Sequence, residues 1–317
     1  MTDARRSESL WEAYGKTLVE LGEIDPNVVA LAFEPPGTNA ADPFRERFPA
    51  RYFKLEAATP AAILTAAGHA REGHSVYAST TAAFAAGTAY HSVRESLCAH
   101  RVNVKIVADE GGSTAGGQPE THPFLEDVGI MRGLPGMTVI VPADAPSTRG
   151  AILALHVHPG PAYVRLTRGV LPTVTDGSFE VGRASELRAG KDLTIVAVGA
   201  LVARALEVAR TLAEVGISTR VLDFASVKPF DEPALLRAAR DTGAILVLEE
   251  HTVLTGVGAL VASTTSENYP VPVRRVGVPD LFVESVDPQE RLDRYGLGPE
   301  RIRDEAWELL RLRGRVS

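Results

Sequence analysis

The chain holds a single cysteine, Cys98, among its 317 residues. One thiol closes no internal disulfide and builds no cysteine-rich zinc site, which excludes a disulfide-stapled secreted fold. Basic residues are not in excess: 33 Lys plus Arg stand against 40 Asp plus Glu, a net charge of −7. A chain of that sign with no long basic run binds polyanions poorly, so nucleic acid is not expected as a partner. Long apolar runs are missing as well. The longest stretch free of Asp, Glu, Lys and Arg runs from Gly73 to Val93. Its Ala, Ser, Thr, Gly and two histidines are too polar for a membrane span. The opening residues MTDARRSESLWEAYG are charged throughout and contain no apolar signal core, so a cytoplasmic location is expected. Short tandem repeats are absent. So are the GxxxxGKS/T and GxGxxG spacings of the common phosphate-binding loops.

What is present is globular: 45% of residues are apolar and 23% charged. The length suggests two domains. Apolar runs ending in small residues alternate with helix-spaced segments. In the first half, Glu8 to Leu21 carries Leu10, Tyr14, Leu18 and Leu21 on one helical face. VVALAF (Val28 to Phe33), VKIVAD (Val104 to Asp109), MTVIVP (Met137 to Pro142) and AYVRL (Ala162 to Leu166) read as buried strands. Thr59-Pro60 is a helix start, with Thr at N-cap and Pro in the first turn, for a helix running to His69 or Arg71. In the second half, strands are expected at 193–199, 218–224, 245–250 and 273–278. Helices are expected at 203–215, 232–239, 258–266 and 301–311. This is the pattern of α/β architecture with mainly parallel sheets, in two successive domains. The expected division is 1–172, a linker of turns and short extended pieces over 173–190 that carries Gly177, Gly182 and Gly190, and 191–317.

Few residues announce chemistry. GGSTAGG, Gly111 to Gly117, follows a strand and permits a tight backbone path near a ligand, or serves as a plain connection. His122 stands just after it, placed either to donate to a ligand oxygen and relay a proton or to cap a helix. His251 follows the end of a parallel strand, the edge where ligands of open α/β sheets gather, or sits in a surface turn. The Glu249-Glu250 pair reads as capping a strand end. The remaining histidines show no metal-ligand spacing, and no metal site is expected. Phe84 lies among Ala, Gly and Thr, with room to stack on a flat partner or to pack in the core. Cys98 reads as a structural thiol.

Longer motifs carry a resemblance. THPFLEDVGIMRGLPGMTVIVPADAPSTRGAILALHVHPGPAYVRLTR resembles the pyrimidine-binding domain of transketolases. RDTGAILVLEEHTVLTGVGALVAS and GVPDLFVESVDPQERLDRYGL resemble the transketolase C-terminal domain. The likeness runs from about Leu10 to Leu310, with its motifs in order. It is stronger to the C-terminal subunit of a split transketolase than to 1-deoxyxylulose-5-phosphate synthases or the β subunits of 2-oxoacid dehydrogenases.

The resemblance implies a transferase that moves a two-carbon ketol unit with thiamine diphosphate, a cofactor bound between two chains or domains. The chain has no GDG sequence, the family's signature for holding the diphosphate and its divalent metal. It therefore implies an N-terminal-type partner carrying GDG and Mg²⁺ or Ca²⁺, around a homodimer core in a heterotetramer, acting on a small sugar. It also implies site residues. Phe84 and Thr81 would face the pyrimidine. Thr59 stands where the family has a glutamate that promotes the pyrimidine's imino tautomer, and Glu56, three residues earlier, is the nearby carboxylate. Glu110 stands for a substrate-contacting histidine and Gln118 for an aspartate that meets sugar hydroxyls, while His122 matches. These departures imply a specialised donor, an amino- or phospho-sugar among the candidates. The alternative is a non-catalytic member that stabilises or regulates a related assembly.

Overall fold

A computed structural model describes residues 8–33, 40–55, 60–112, 124–167, 169–282 and 288–314. The first half runs α1 (Leu10–Ile24), β1 (Val28–Ala32), α2 (Asp42–Arg47), β2 (Tyr52–Lys54), α3 (Pro60–Arg71), β3 (Ser75–Thr81), α4 (Tyr90–Ser92), β4 (Val104–Asp109), α5 (Asp127–Arg132), β5 (Thr138–Ile140), α6 (Ala145–Val157) and β6 (Ala162–Arg165). The second half runs β7 (Ser185–Arg188), β8 (Leu193–Ala197), α7 (Leu201–Glu214), β9 (Thr219–Asp223), β10 (Ser226–Lys228), α8 (Glu232–Thr242), β11 (Ile245–Thr252), α9 (Val257–Asn268), β12 (Val273–Val278), α10 (Pro288–Arg294) and α11 (Pro299–Leu312).

Two sheets result. The first has the order β10-β5-β6-β4-β3-β1-β2 and the second β12-β11-β8-β9-β7. Every pairing is parallel except β10 with β5 and β7 with β9. The central strands β1, β4, β6 and β8 are buried along their whole length, as strands covered by helices on both faces must be. The α/β expectation therefore holds.

Helix starts explain much of the local order. Ser9 accepts from Glu12 N (3.2 Å), and the Glu12 carboxylate returns the bond to Ser9 N (3.0 Å), a reciprocal cap that sets the start of α1. Asp144 does the same for α6 with Ser147. Two π-helical turns, Ala83–Thr88 and Val93–Cys98, flank α4. Cys98 is buried there, and burial pushes its thiol up to about 11, as befits a structural residue.

Sequence order and spatial order part company at one place. β10 lies beyond β9 in the chain, yet it closes the edge of the first sheet by pairing Ser226 with Ile140 and Lys228 with Val139. Consistently, one apolar cluster joins Val139, Val141 and Tyr163 of the first half to Val196, Leu222 and Phe224 of the second. The stretch 173–190 is tied at both ends by helix-capping aspartates. The Asp144 carboxylate accepts from the N–H of Val174 and Thr175 (2.7 Å each), and Asp231 accepts from Ala184 N (3.0 Å). β7, antiparallel on the edge of the second sheet, falls within this stretch.

Candidate active site

The carboxyl ends of β3, β4 and β6 lie side by side in the first sheet, with Thr81 opposite Asp109 and Ala108 opposite Arg165. This is the edge where parallel sheets present ligand-binding loops. β3 ends at Thr81, whose Oγ1 accepts the Phe84 N–H (3.3 Å) and so fixes the π-helical turn that follows. π-turns recur at functional sites because the extra residue redirects side chains. Phe84 is buried, edge-on to Phe33 with centroids 6.2 Å apart. Ala83 and Gly87 on the same turn are exposed. The ring of Phe124 stands 3.7 Å from where a Gly87 side chain would begin.

β4 runs directly into Glu110, which takes a left-handed conformation (φ 56°), uncommon for a residue with a side chain. Gly112 follows in the same region (φ 85°). Gly112 N donates to Phe124 O (3.1 Å) and Gly111 bridges to Phe124, so the chain that departs at Gly112 returns beside its own start. Thus Thr81, Phe84 and Glu110, all singled out from the sequence, come together on adjoining strand ends. Glu56, Thr59, Gln118 and His122 lie outside the described residues.

Below this edge sits a buried polar cluster that sequence reading did not find. Asp127 opens α5 and is fully buried. It accepts from the Tyr163 hydroxyl (2.7 Å) and lies 3.5 Å from Arg165 Nη1. Burial first, and the Asp127 carboxylate second, hold the Tyr163 hydroxyl far above the ordinary phenol range, so Tyr163 remains a donor. Arg165 also donates to Glu250 O (3.0 Å) across the domain boundary. A Cβ on Gly111 would meet Arg165 at 2.7 Å and Asp127 at 2.9 Å, so only glycine lets the loop base rest on this cluster. The one available signal was an arginine closing the otherwise apolar strand AYVRL.

His251 does not follow the end of its strand but lies within β11, and it is not part of a surface turn. It is 1% exposed, and its Nε2 accepts from Gly129 N (3.0 Å). Glu249 caps a helix rather than a strand end: its carboxylate accepts from Val257 N (2.6 Å) and Gly258 N (2.9 Å) at the start of α9. Burial raises its pKa, opposed by His251 and by those two N–H groups.

Phe84 is buried behind the small exposed residues Ala83 and Gly87, a setting compatible with a flat heterocycle lying beside that turn. Among the described residues, no group of three His, Cys, Asp or Glu able to hold a metal ion occurs. Nor, among them, is any helix long and apolar enough to cross a membrane.

Comparison with known proteins agrees with the fold. Residues 7–173 match the family described as "Transketolase, pyrimidine binding domain", and residues 182–302 match "Transketolase, C-terminal domain". An apulose-4-phosphate transketolase subunit of Phocaeicola vulgatus is 37% identical, over 95% of this chain and 97% of its own. The 6-deoxy-6-sulfo-D-fructose transketolase subunit SqwH of a Clostridium species is 38% identical, over 95% of this chain and 94% of its own. A solved structure described as a split-gene transketolase in an inactive β4 tetramer superposes with a TM-score of 0.88 at 42% identity, covering 96% of this chain and 99% of that one. Transketolase from Leishmania mexicana shares the fold (TM-score 0.81, 21% identity), covering 96% of this chain and 46% of its own. With consecutive matches spanning both sheets, and with relatives that are transketolase subunits aligned almost end to end, the chain belongs to the transketolase family.

Proposed function

We propose that the chain is the C-terminal subunit of a two-component, thiamine diphosphate-dependent transketolase that transfers a two-carbon ketol unit from a specialised sugar. One observation carries the reading: transketolase subunits align with this chain almost end to end, while its sequence contains no GDG. The missing half would come from a GDG-bearing partner that brings Mg²⁺ or Ca²⁺. When bound, the cofactor supplies the carbanion chemistry. This chain's residues would orient the pyrimidine through Phe84 and Thr81 and meet the sugar through Glu110, Gln118 and His122. Two relatives bear the names of unusual sugar substrates, one of them a phosphosugar and the other a sulfosugar. Glu110 places a negative charge where the family has an imidazole, which suits a cationic group such as an amine on the donor. A cytoplasmic heterotetramer around a homodimer of this chain is the expected assembly.

The test is copurification with a GDG-bearing subunit, then titration with thiamine diphosphate and Mg²⁺ and assay of ketol transfer. Binding followed by transfer is expected. Deuterium exchange at the thiazolium carbon locates the proton relay. Its loss in Glu56→Gln assigns the relay to Glu56, and its acceleration in Thr59→Glu shows a pocket that still accepts the usual carboxylate. A complex that binds no cofactor overturns the enzymatic reading. The second reading, a non-catalytic stabilising subunit, then takes its place, and Thr59 in the glutamate position is what favours it.

A further inference from the structure

The first turn of a helix leaves backbone N–H groups without partners inside the helix. α5 has such a start, and its N-cap residue Glu126 supplies no side-chain bond to it. The partner comes from the other domain. Gly129 N, in the third position of α5, donates to Nε2 of His251 at the end of β11 (3.0 Å). An Nε2 that accepts carries no proton, so the proton is on Nδ1, which donates to Thr252 O (2.9 Å). The ring is therefore held at both nitrogens in one tautomer. Gly129 is required by the close approach: a Cβ there would stand 2.4 Å from Thr255 Oγ1 and 3.1 Å from His251 Cε1.

Three more bonds follow the same path. Thr252 N donates to Leu125 O (3.0 Å), Arg132 Nε to Thr255 O (2.9 Å) and Arg165 Nη1 to Glu250 O (3.0 Å). All four reach α5, the residues just before it, or the cluster under Gly111. Phe124, two residues before Glu126, is in turn bound to Gly112.

We infer that His251 is a positioning residue: it caps α5 across the domain boundary and so fixes the base of the loop that starts at Glu110 and returns at Phe124. The C-terminal domain thereby holds Phe124 beside Gly111 and Gly112 at the carboxyl end of β4. The kinetic part of this inference rests on the proposed function, and the structural part does not.

The experiment compares His251→Asn and His251→Gln, both polar and close in size to the native residue. Asn is too short to reach Gly129 N, whereas the Gln carbonyl takes the place of Nε2. Hydrogen–deuterium exchange is followed on the isolated chain. In His251→Asn, peptides covering 124–134 should exchange about tenfold faster, the cost of a lost cap, with β8 and α7 unchanged. His251→Gln should exchange like wild type. In the reconstituted complex, His251→Asn should raise KM for the two-carbon donor about tenfold while thiamine diphosphate affinity stays at the wild-type value, and His251→Gln should restore KM. Exchange equal to wild type in His251→Asn, or accelerated throughout the second sheet, overturns the inference. So does a parallel loss of donor and cofactor binding. A wild-type complex without cofactor binding overturns the proposed function and leaves the exchange result standing.

Discussion

Asp223, at the end of β9, is a carboxylic acid kept in the interior. It is 3% exposed, and its Oδ1 has no hydrogen-bond partner among the described residues. Burial, and secondarily the nearby Asp144, push its pKa up to about 8 from an ordinary 3.8. The folded chain then holds this proton between about pH 4 and 8 while the unfolded chain has released it. A raised folded-state pKa contributes stability that is fully present below the unfolded value and is lost as pH rises through the folded one. Stability from this residue should therefore fall across that window, by up to about 1.4 kcal/mol per pH unit. Asp223→Asn keeps the shape and removes the titration. The expected result is a variant whose melting temperature exceeds wild type by more at pH 8 than at pH 5. A gap that is constant with pH would contradict the argument.

At the scale of elements, the helix caps do more than start helices. Asp144 accepts from Ser147 N (2.9 Å) within its own cap, and also from Val174 N, Thr175 N and Thr175 Oγ1 (2.6 Å). Replacing a capping aspartate by alanine costs about 1 kcal/mol, and each buried donor left unpaired adds about 1–3 kcal/mol. Asp144→Ala is thus expected to cost about 3 kcal/mol or more. It should also open the stretch between Val174 and Ala184 to limited proteolysis ahead of the rest of the chain. Unchanged urea midpoint and cleavage would show that the linker is held by other means. The elements themselves differed in how plainly the sequence announced them. β1 and β8 were readable because nearly unbroken apolar runs are what a two-sided parallel strand demands, whereas β4, β9 and β12 were legible despite a Lys or Arg inside the run. β3 was not, because SVYASTT is built of small polar residues that are buried only by their neighbours. β7 and β10 were missed for another reason: each is a short edge strand defined by its antiparallel partner and not by its own pattern. The site followed the same division. Phe84 was singled out by its small neighbours and Glu110 by the family resemblance, both from local stretches of sequence. Asp127 with Arg165, 38 residues apart, and Gly129 with His251, 122 apart, become partners only when the chain folds.

For the whole molecule, the second half completes the first. A chain ending at Pro172 would lack β10, leaving the β5 edge at Val139 and Ile140 open, and would lose the Glu250 and His251 contacts beneath the site. An open edge strand recruits other chains, so such a fragment is expected to elute as aggregate on size-exclusion chromatography, while the full chain elutes as one discrete species. A monodisperse, cooperatively melting fragment would refute this. The same strand imposes a schedule on synthesis. Ser226 pairs with Ile140 across about 86 residues of chain. A ribosome adds roughly 5–20 residues per second, so the edge of the first sheet stands uncovered for roughly 4–17 s after β5 has been made. For that interval the nascent chain is a natural client for any factor that shields strand edges, and slowing elongation between β6 and β10 lengthens the exposure in proportion.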